Sequence, residues 1–223
     1  MEQLGDYLPF WNRLSDGQRR LLERSVQLRD FPAGRILHNG SEDCIGLLLV
    51  TRGRLRVYTV SGEGKELTLF RLLERDLCLF SAACILNSIQ FDVTISAEQD
   101  TRALHIPPDV YKRLMAESAA VAGYTNELMA ARFSEVMWLM DQILYQKMDV
   151  RLAALLVEEA ELTDTGELNL THEALANHLG SAREVVTRLL KYFQREGLVS
   201  LSRGRILLAD RKRIEQIAAP ALR

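Results

Sequence analysis

The sequence predicts an α+β protein: an N-terminal antiparallel β jelly-roll barrel, one long helix, and a C-terminal module of short helices and two strands. Three observations lead there. Between residues 30 and 106, short segments such as CIGLLLV, RLRVYTV, LTLFRLL and FDVTISA alternate with the turn signals PAG, HNG, RG and SGEG. From residue 121 to 147, apolar residues recur at the steps of a helical seam. Residues 171–213 hold nine Lys/Arg against four Asp/Glu, although the chain as a whole has a net charge of -2.

That contrast excludes a whole-chain electrostatic attraction to nucleic acid and confines any basic surface to the C-terminal part. With 223 residues and 48% apolar content, the chain can support separate compact units, each with its own core. The divisions expected are 1–118 for the barrel, 119–147 for the long helix and 148–223 for the C-terminal module. No basic segment followed by an apolar run opens the chain, and no apolar run approaches the roughly 20 residues of a membrane span, so a cytoplasmic protein with no membrane partner is expected. Three cysteines, Cys44, Cys78 and Cys84, lack a disulfide-framework spacing and fit a reducing compartment.

In the barrel, alternation at Leu55, Val57 and Thr59 and at Leu67, Leu69 and Arg71 predicts strands of a half-buried sheet. Pro107 and Pro108 close this region, and Asp109 to Glu117 reads as a short helix. In the long helix, Met129, Phe133, Val136, Met140 and Ile143 follow steps of four, three, four and three. Met137, Leu139 and Leu144 flank them, so one apolar side faces the chain's own domain and a second needs another partner. Self-association as a homodimer through this helix is the expectation.

A further amphipathic helix covers Asp149 to Leu162, and TDTGEL makes a polar turn. LTHEALANHL then starts a helix with Thr171 placed as its cap and Glu173 in its first turn; Gly180 and Ser181 break it, and SAREVVTRLLKYFQR begins another. Helix, tight turn and helix at this spacing predict a helix-turn-helix. Val186, Leu189, Leu190 and Phe193 form the buried stripe of the second helix, which leaves Arg183, Glu184, Thr187, Arg188, Lys191 and Arg195 outside. Arginine can pair with guanine O6 and N7 and a carboxylate can accept from cytosine N4, so Arg183, Glu184 and Arg188 are candidates for reading G·C pairs. EGLVSLSRGRILLAD predicts two strands with Arg203 and Arg205 at the tip, a wing whose guanidinium groups can reach phosphate.

Barrel, long helix and winged helix-turn-helix together resemble the CRP/FNR family of bacterial transcription regulators over essentially the whole chain. The resemblance is most specific at SAREVVTRLL and the following GLV, which look like that family's recognition helix and wing entry. It places Arg183, Glu184 and Arg188 on base-reading positions, with Ser181, Thr187, Lys191, Arg203 and Arg205 as further DNA contacts. It implies a homodimer that binds double-stranded DNA at a palindromic promoter site with TGTGA-like half-sites, and RNA polymerase as a partner. Ser181 and Glu184 also match an S-x-x-E capping box, which would compete with base reading by Glu184.

In the cyclic-AMP-binding members, a Gly-Glu pair and an Arg-Ser pair hold the cyclic phosphate. RDLCLFSAACILNSIQFDVTISA contains neither pair; Phe91 and Asp92 stand where Arg-Ser would fall, and Asp92 would repel the anion. Cyclic AMP is therefore not the expected effector. Cys78 and Cys84, with Cys44 and His38, leave a metal, an iron-sulfur cluster or thiol redox chemistry as candidates, against the plainer reading of small core residues. The metal and the effector are unassigned. His172 and His178 in HEALANH fall on different helix faces and are not a zinc pair.

No catalytic residue is assigned, because no Ser/His/Asp set, phosphate loop or paired carboxylate is present. The alternative functions are a metal- or thiol-dependent enzyme on a cupin-like barrel using His38 and the cysteines, and a ligand-binding barrel with a degenerate tail.

Overall fold

The computed structural model describes residues 4–40, 45–81 and 92–222, so Cys44, Cys84 and Phe91 lie outside it. After two short 3-10 turns (Leu4–Asp6 and Trp11–Arg13) comes helix α1 (Asp16–Ser25), which is absent from the strand-centred expectation. Its signal was present in the residues: Ser15 accepts from the Gln18 amide at 3.3 Å while Gln18 Oε1 accepts from the Ser15 amide at 3.0 Å, a capping box.

Eight strands follow among the described residues: β1 (Gln27–Phe31), β2 (Ile36–Asn39), β3 (Leu47–Arg52), β4 (Leu55–Val60), β5 (Glu66–Leu72), β6 (Leu77–Cys78), β7 (Thr94–Ala97) and β8 (Thr101–Ile106). They form two four-stranded sheets, ordered β1-β8-β3-β6 and β2-β7-β4-β5. The arrangement is a jelly roll of two sheets rather than a closed barrel, because side chains from both sheets fill the space between them and no continuous hydrogen-bonded ring is required. Leu48, Val50, Leu55, Val57, Ile95 and Ala103 make that inner core. Leu47 and Leu49, on the opposite face of β3, join a second core with Leu22, Val110, Tyr111, Leu114 and Val121. Burial on both faces explains why this strand reads as a continuous apolar run.

The phase of β5 is opposite to the alternation read from Leu67, Leu69 and Arg71. Phe70 and Leu72 are the buried residues. Phe70 lies 5.7 Å from the Phe80 ring and carries the Arg132 guanidinium 4.7 Å from its own ring centre, so aromatic packing, not the leucine count, sets which face turns inward. At the β3–β4 turn, Gly53 has φ +94°, and a Cβ there would meet the Asp100 carbonyl at 2.6 Å.

Helix α2 (Pro108–Glu117) begins with proline at its first position, where no amide partner is lost. Helix α3 (Ala119–Tyr145) is 27 residues long, close to the extent predicted. Helix α4 (Met148–Thr163), strand β9 (Glu167–Leu168), helices α5 (His172–Leu179) and α6 (Arg183–Arg195), strands β10 (Val199–Ser202) and β11 (Arg205–Leu208), and helix α7 (Arg211–Ala218) complete the chain. Its contacts divide it into two compact units, Met1–Thr59 with Leu69–Glu135 and Val60–Thr68 with Val136–Arg223. Within the second, Leu152, Leu156, Leu175, Val186, Leu190, Phe193, Ile206 and Ile214 share one core that draws on α4, α5, α6, the wing and α7. Among the described residues no helix is long and apolar enough to cross a membrane.

Candidate nucleic-acid interface

The pairing of α5 and α6 is built from short-range chemistry. Thr171 accepts from the Ala174 amide at 3.0 Å, which caps α5. Gly180 ends the helix at φ +66°, and its amide and that of Ser181 both donate to the Ala176 carbonyl. Arg151 of α4 donates to the Leu179 carbonyl at 2.8 Å and so satisfies another helix-end acceptor. Leu175, Ala176 and Leu179 on α5 and Val186, Leu190 and Phe193 on α6 are buried together, which fixes the angle between the helices.

Gly180 is thus the hinge on which the turn geometry depends. Gly180→Ala is expected to lower stability by roughly 1–2 kcal/mol, because alanine is disfavoured in the left-handed region. Urea unfolding of the two proteins checks it.

With the apolar stripe turned inward, the opposite side of α6 is left to solvent. Arg183, Glu184, Thr187, Arg188, Lys191, Gln194 and Arg195 line one open groove along it. All of them except Thr187, which is half-buried, are exposed. A second groove runs between the start of α5, Arg183 and the wing tip at Ser202–Ile206. The strands β10 and β11 pair antiparallel with Ser202 opposite Arg205, leaving Arg203 and Gly204 as the tip.

The DNA-contact candidates other than Ser181, which sits in the turn before α6 and lines neither groove, come to one side of the second unit, although not all of them are equally unencumbered. Arg205 is bound to Glu167 of β9 at 2.9 Å, and Arg183 lies 3.9 Å from Glu173. Both pairs are exposed and worth little in water, so phosphate or a base edge can compete for either cation. The predicted capping box at the start of α6 does not form. Ala182 is the N-cap and no side chain caps the helix, because Ser181 is still in the turn; Glu184 remains exposed. The competition that threatened its role in base reading is absent.

Three participants escaped the sequence reading. Gln194 lines the α6 groove one turn beyond Lys191, and Glu167 belongs to a third wing strand where only a polar turn was expected. The third is His172, whose Nδ1 lies 2.9 Å from Thr187 Oγ1 on the recognition face. His178 has a different partner, Thr68 Oγ1 at 2.8 Å, in keeping with the rejection of a zinc pair.

The other candidates lie elsewhere. On α3, Phe133, Met140 and Ile143 are exposed at 66%, 48% and 41%, together with Met137 and Leu144. Met129 is half-buried against the first unit's core and Val136 is half-buried. The open apolar stripe thus starts at Phe133 rather than at Met129. Cys78 is buried in the inner core, and burial pushes its thiol pKa up. His38 is also buried, and its Nδ1 has no hydrogen-bond partner among the described residues.

Comparison with known proteins follows the same division of the chain. A Crp-like helix-turn-helix domain matches residues 150–217, and a cyclic nucleotide-binding domain matches residues 28–118. A solved transcriptional regulator of the CRP/FNR family from Eubacterium rectale is 53% identical, with a TM-score of 0.94 over 96% of this chain and 99% of that one. The chain is also 25% identical to the cyclic AMP receptor protein of Thermus thermophilus, over 94% of its own length and 96% of that protein. The fumarate and nitrate reduction regulatory protein of Yersinia pestis is 24% identical over 83% of this chain and 76% of its own. A family of regulators, not of enzymes, accounts for both halves at once. The chain belongs to the CRP/FNR family of transcription regulators, and its helix-turn-helix is a DNA-binding domain.

Proposed function

We propose that this regulator is a homodimer that reads a palindromic duplex with the exposed face of α6 and responds to an effector other than cyclic AMP. The observation that carries the first part is the solvent-facing groove of Arg183, Glu184, Arg188 and Lys191 on a helix whose other side is locked into the core. Arg183, Glu184 and Arg188 serve as base readers; Lys191, Arg203 and Arg205 serve as phosphate contacts. The exposed stripe from Phe133 to Leu144 supports pairing of α3 with its copy, which would present two recognition helices about one duplex turn apart. RNA polymerase is the partner on which a promoter-bound regulator acts.

For the effector, the charges of the sensor unit are informative. Cyclic AMP needs a free cation for its phosphate; among the described residues of the sensor unit, three arginines with little exposed side chain are engaged with carboxylates, and the buried Arg56 lies over the Tyr58 ring at 4.2 Å. Glu98 lies 2.7 Å from Arg54 and 3.0 Å from Arg71, and Arg132 is held by Glu135 at 2.8 Å and Asp76 at 3.6 Å. Displacing Arg54 or Arg71 would weaken the pairing of Glu98, whose side chain is only 13% exposed. Cys78 is assigned to packing, since only a thiolate is a good ligand or nucleophile and burial opposes its formation. Effector binding in the sensor unit would act by shifting the packing of α3 and hence the spacing of the recognition helices.

Titration of a fluorescent palindromic duplex tests the DNA reading. Affinity is expected to fall by several orders of magnitude between about 50 and 200 mM salt, as counterion release requires. Binding that ignores salt and sequence contradicts it. Cyclic AMP added at millimolar concentration is expected to leave the operator affinity unchanged; a shift would overturn the assignment of the buried ion pairs.

A further inference from the structure

Thr187 sits on the recognition face, and the only side chain from outside α6 found hydrogen-bonded to it among the described residues is His172, at the first position of α5. A threonine hydroxyl has one proton to give and two lone pairs. A neutral imidazole with its proton on Nε2, the intrinsically commoner tautomer, accepts at Nδ1 the hydrogen bond that the Thr187 hydroxyl donates, which leaves Thr187 Oγ1 only its lone pairs to offer elsewhere. An imidazolium donates from Nδ1 to Thr187 Oγ1 instead, which frees the hydroxyl proton for another partner. The contact therefore has two polarities, and they present opposite faces to a base.

We propose that His172 is a specificity-determining positioning residue: its protonation sets whether Thr187 accepts from or donates to a base edge, so preference at one base pair of each half-site depends on protons. The proposal rests on the DNA-binding reading above. In the neutral state Thr187 favours a base that carries an amino group in the major groove, adenine N6 or cytosine N4. In the protonated state it favours an acceptor, guanine O6 or N7 or thymine O4.

The surroundings make the switch sensitive to DNA. Glu173 on its own helix, Arg183 and Lys191 on α6, and Arg203 and Arg205 on the wing are the charged groups around His172, with Arg205 tied to Glu167. In the free protein, burial first and then Arg183 and Lys191 hold the His172 pKa below its ordinary value, which favours the neutral ring. Duplex phosphates bring negative charge to the same groove and favour the imidazolium. Binding then takes up protons, and affinity rises as pH falls through the range between the free and bound pKa values.

The test is a binding selection with the full chain on duplexes randomised at each half-site position, at about pH 6 and pH 8, which bracket the ordinary histidine range. One position per half-site is expected to change its preferred base class by roughly three- to tenfold, the size of a single hydrogen bond. Thr187→Val, nearly isosteric, and His172→Ala should each abolish that change. In the wild type, the imidazole nitrogen shifts of His172 should titrate at higher pH with duplex bound than without. If a specific, salt-dependent complex forms with the same base preference at both pH values, or if the change persists in His172→Ala, the switch is wrong while the DNA reading stands. If no salt-dependent, sequence-selective complex forms at either pH, the underlying DNA reading fails first.

Discussion

Arg183→Ala is expected to reduce affinity for the palindromic operator by roughly 2–6 kcal/mol, because each of the two half-sites in a dimer loses about 1–3 kcal/mol of bidentate guanine recognition. Nothing in the fold stands in the way of that contact. Arg183 is 64% exposed at its side chain, and its nearest carboxylate, Glu173 at 3.9 Å, forms a weak surface pair that costs little to give up. Removal of the side chain leaves the α6 stripe of Val186, Leu190 and Phe193 intact, so the helix should keep its place. Fluorescence anisotropy with the operator and with a duplex changed at the guanine separates the effects: the variant should bind both alike. Lys191→Ala provides the contrast. As a phosphate contact it should weaken binding to every duplex equally and lower the salt slope by about one per half-site. An Arg183→Ala protein that retains full operator preference would remove α6 as the reading helix.

A second large effect is expected at α3. Met140 and Ile143 are large apolar residues left open to water on a helix that continues the stripe from Phe133. Met140→Glu combined with Ile143→Glu places four carboxylates in a twofold seam, where none has a partner and each would lose its hydration. The protein should sediment as a monomer at micromolar concentration, and operator affinity should fall by roughly 10²–10⁴-fold as the second half-site ceases to be an intramolecular event. Glutamate is a good helix former, so circular dichroism should be little changed. A double variant that stays dimeric and binds normally would move the interface away from this stripe.

The two variants differ in what they leave behind. Arg183→Ala keeps the dimer and removes the reading of sequence, whereas the α3 variant keeps both reading surfaces and removes their linkage. Combined in one protein, their effects should fall short of additive, since a monomer has no second half-site to lose.

Much of the architecture was legible because it rests on local periodicity. The buried positions Val186, Leu190 and Phe193, the cap at Thr171, the helix break at Gly180 and the hairpin around Gly204 are each decided within a few residues and are found as expected, while Leu189, read into the same stripe, is only half-buried. Elements whose signals are weak or compete were read less well. Helix α1 carries its capping box in SDGQ, ahead of the strand-bearing stretch, and the two-residue β9 is too short to show any period. At the start of α6, the S-x-x-E pattern fitted a cap that the turn geometry does not allow, since Ala182 and not Ser181 occupies the capping position.

What the residues determined by themselves was the sequence of modules, the inward stripe of the recognition helix and the cationic character of its other side, since side-chain direction along a regular helix follows from spacing alone. Tertiary structure decided the pairings that join distant segments: Glu167 with Arg205, Glu98 between Arg54 and Arg71, and His172 with Thr187. It also decided which face of β5 is buried, through the Phe70 and Phe80 rings, and that the α3 stripe opens at Phe133. Hydrogen bonds and ion pairs act over about 3 Å regardless of separation along the chain, so no local pattern can encode which two side chains will meet.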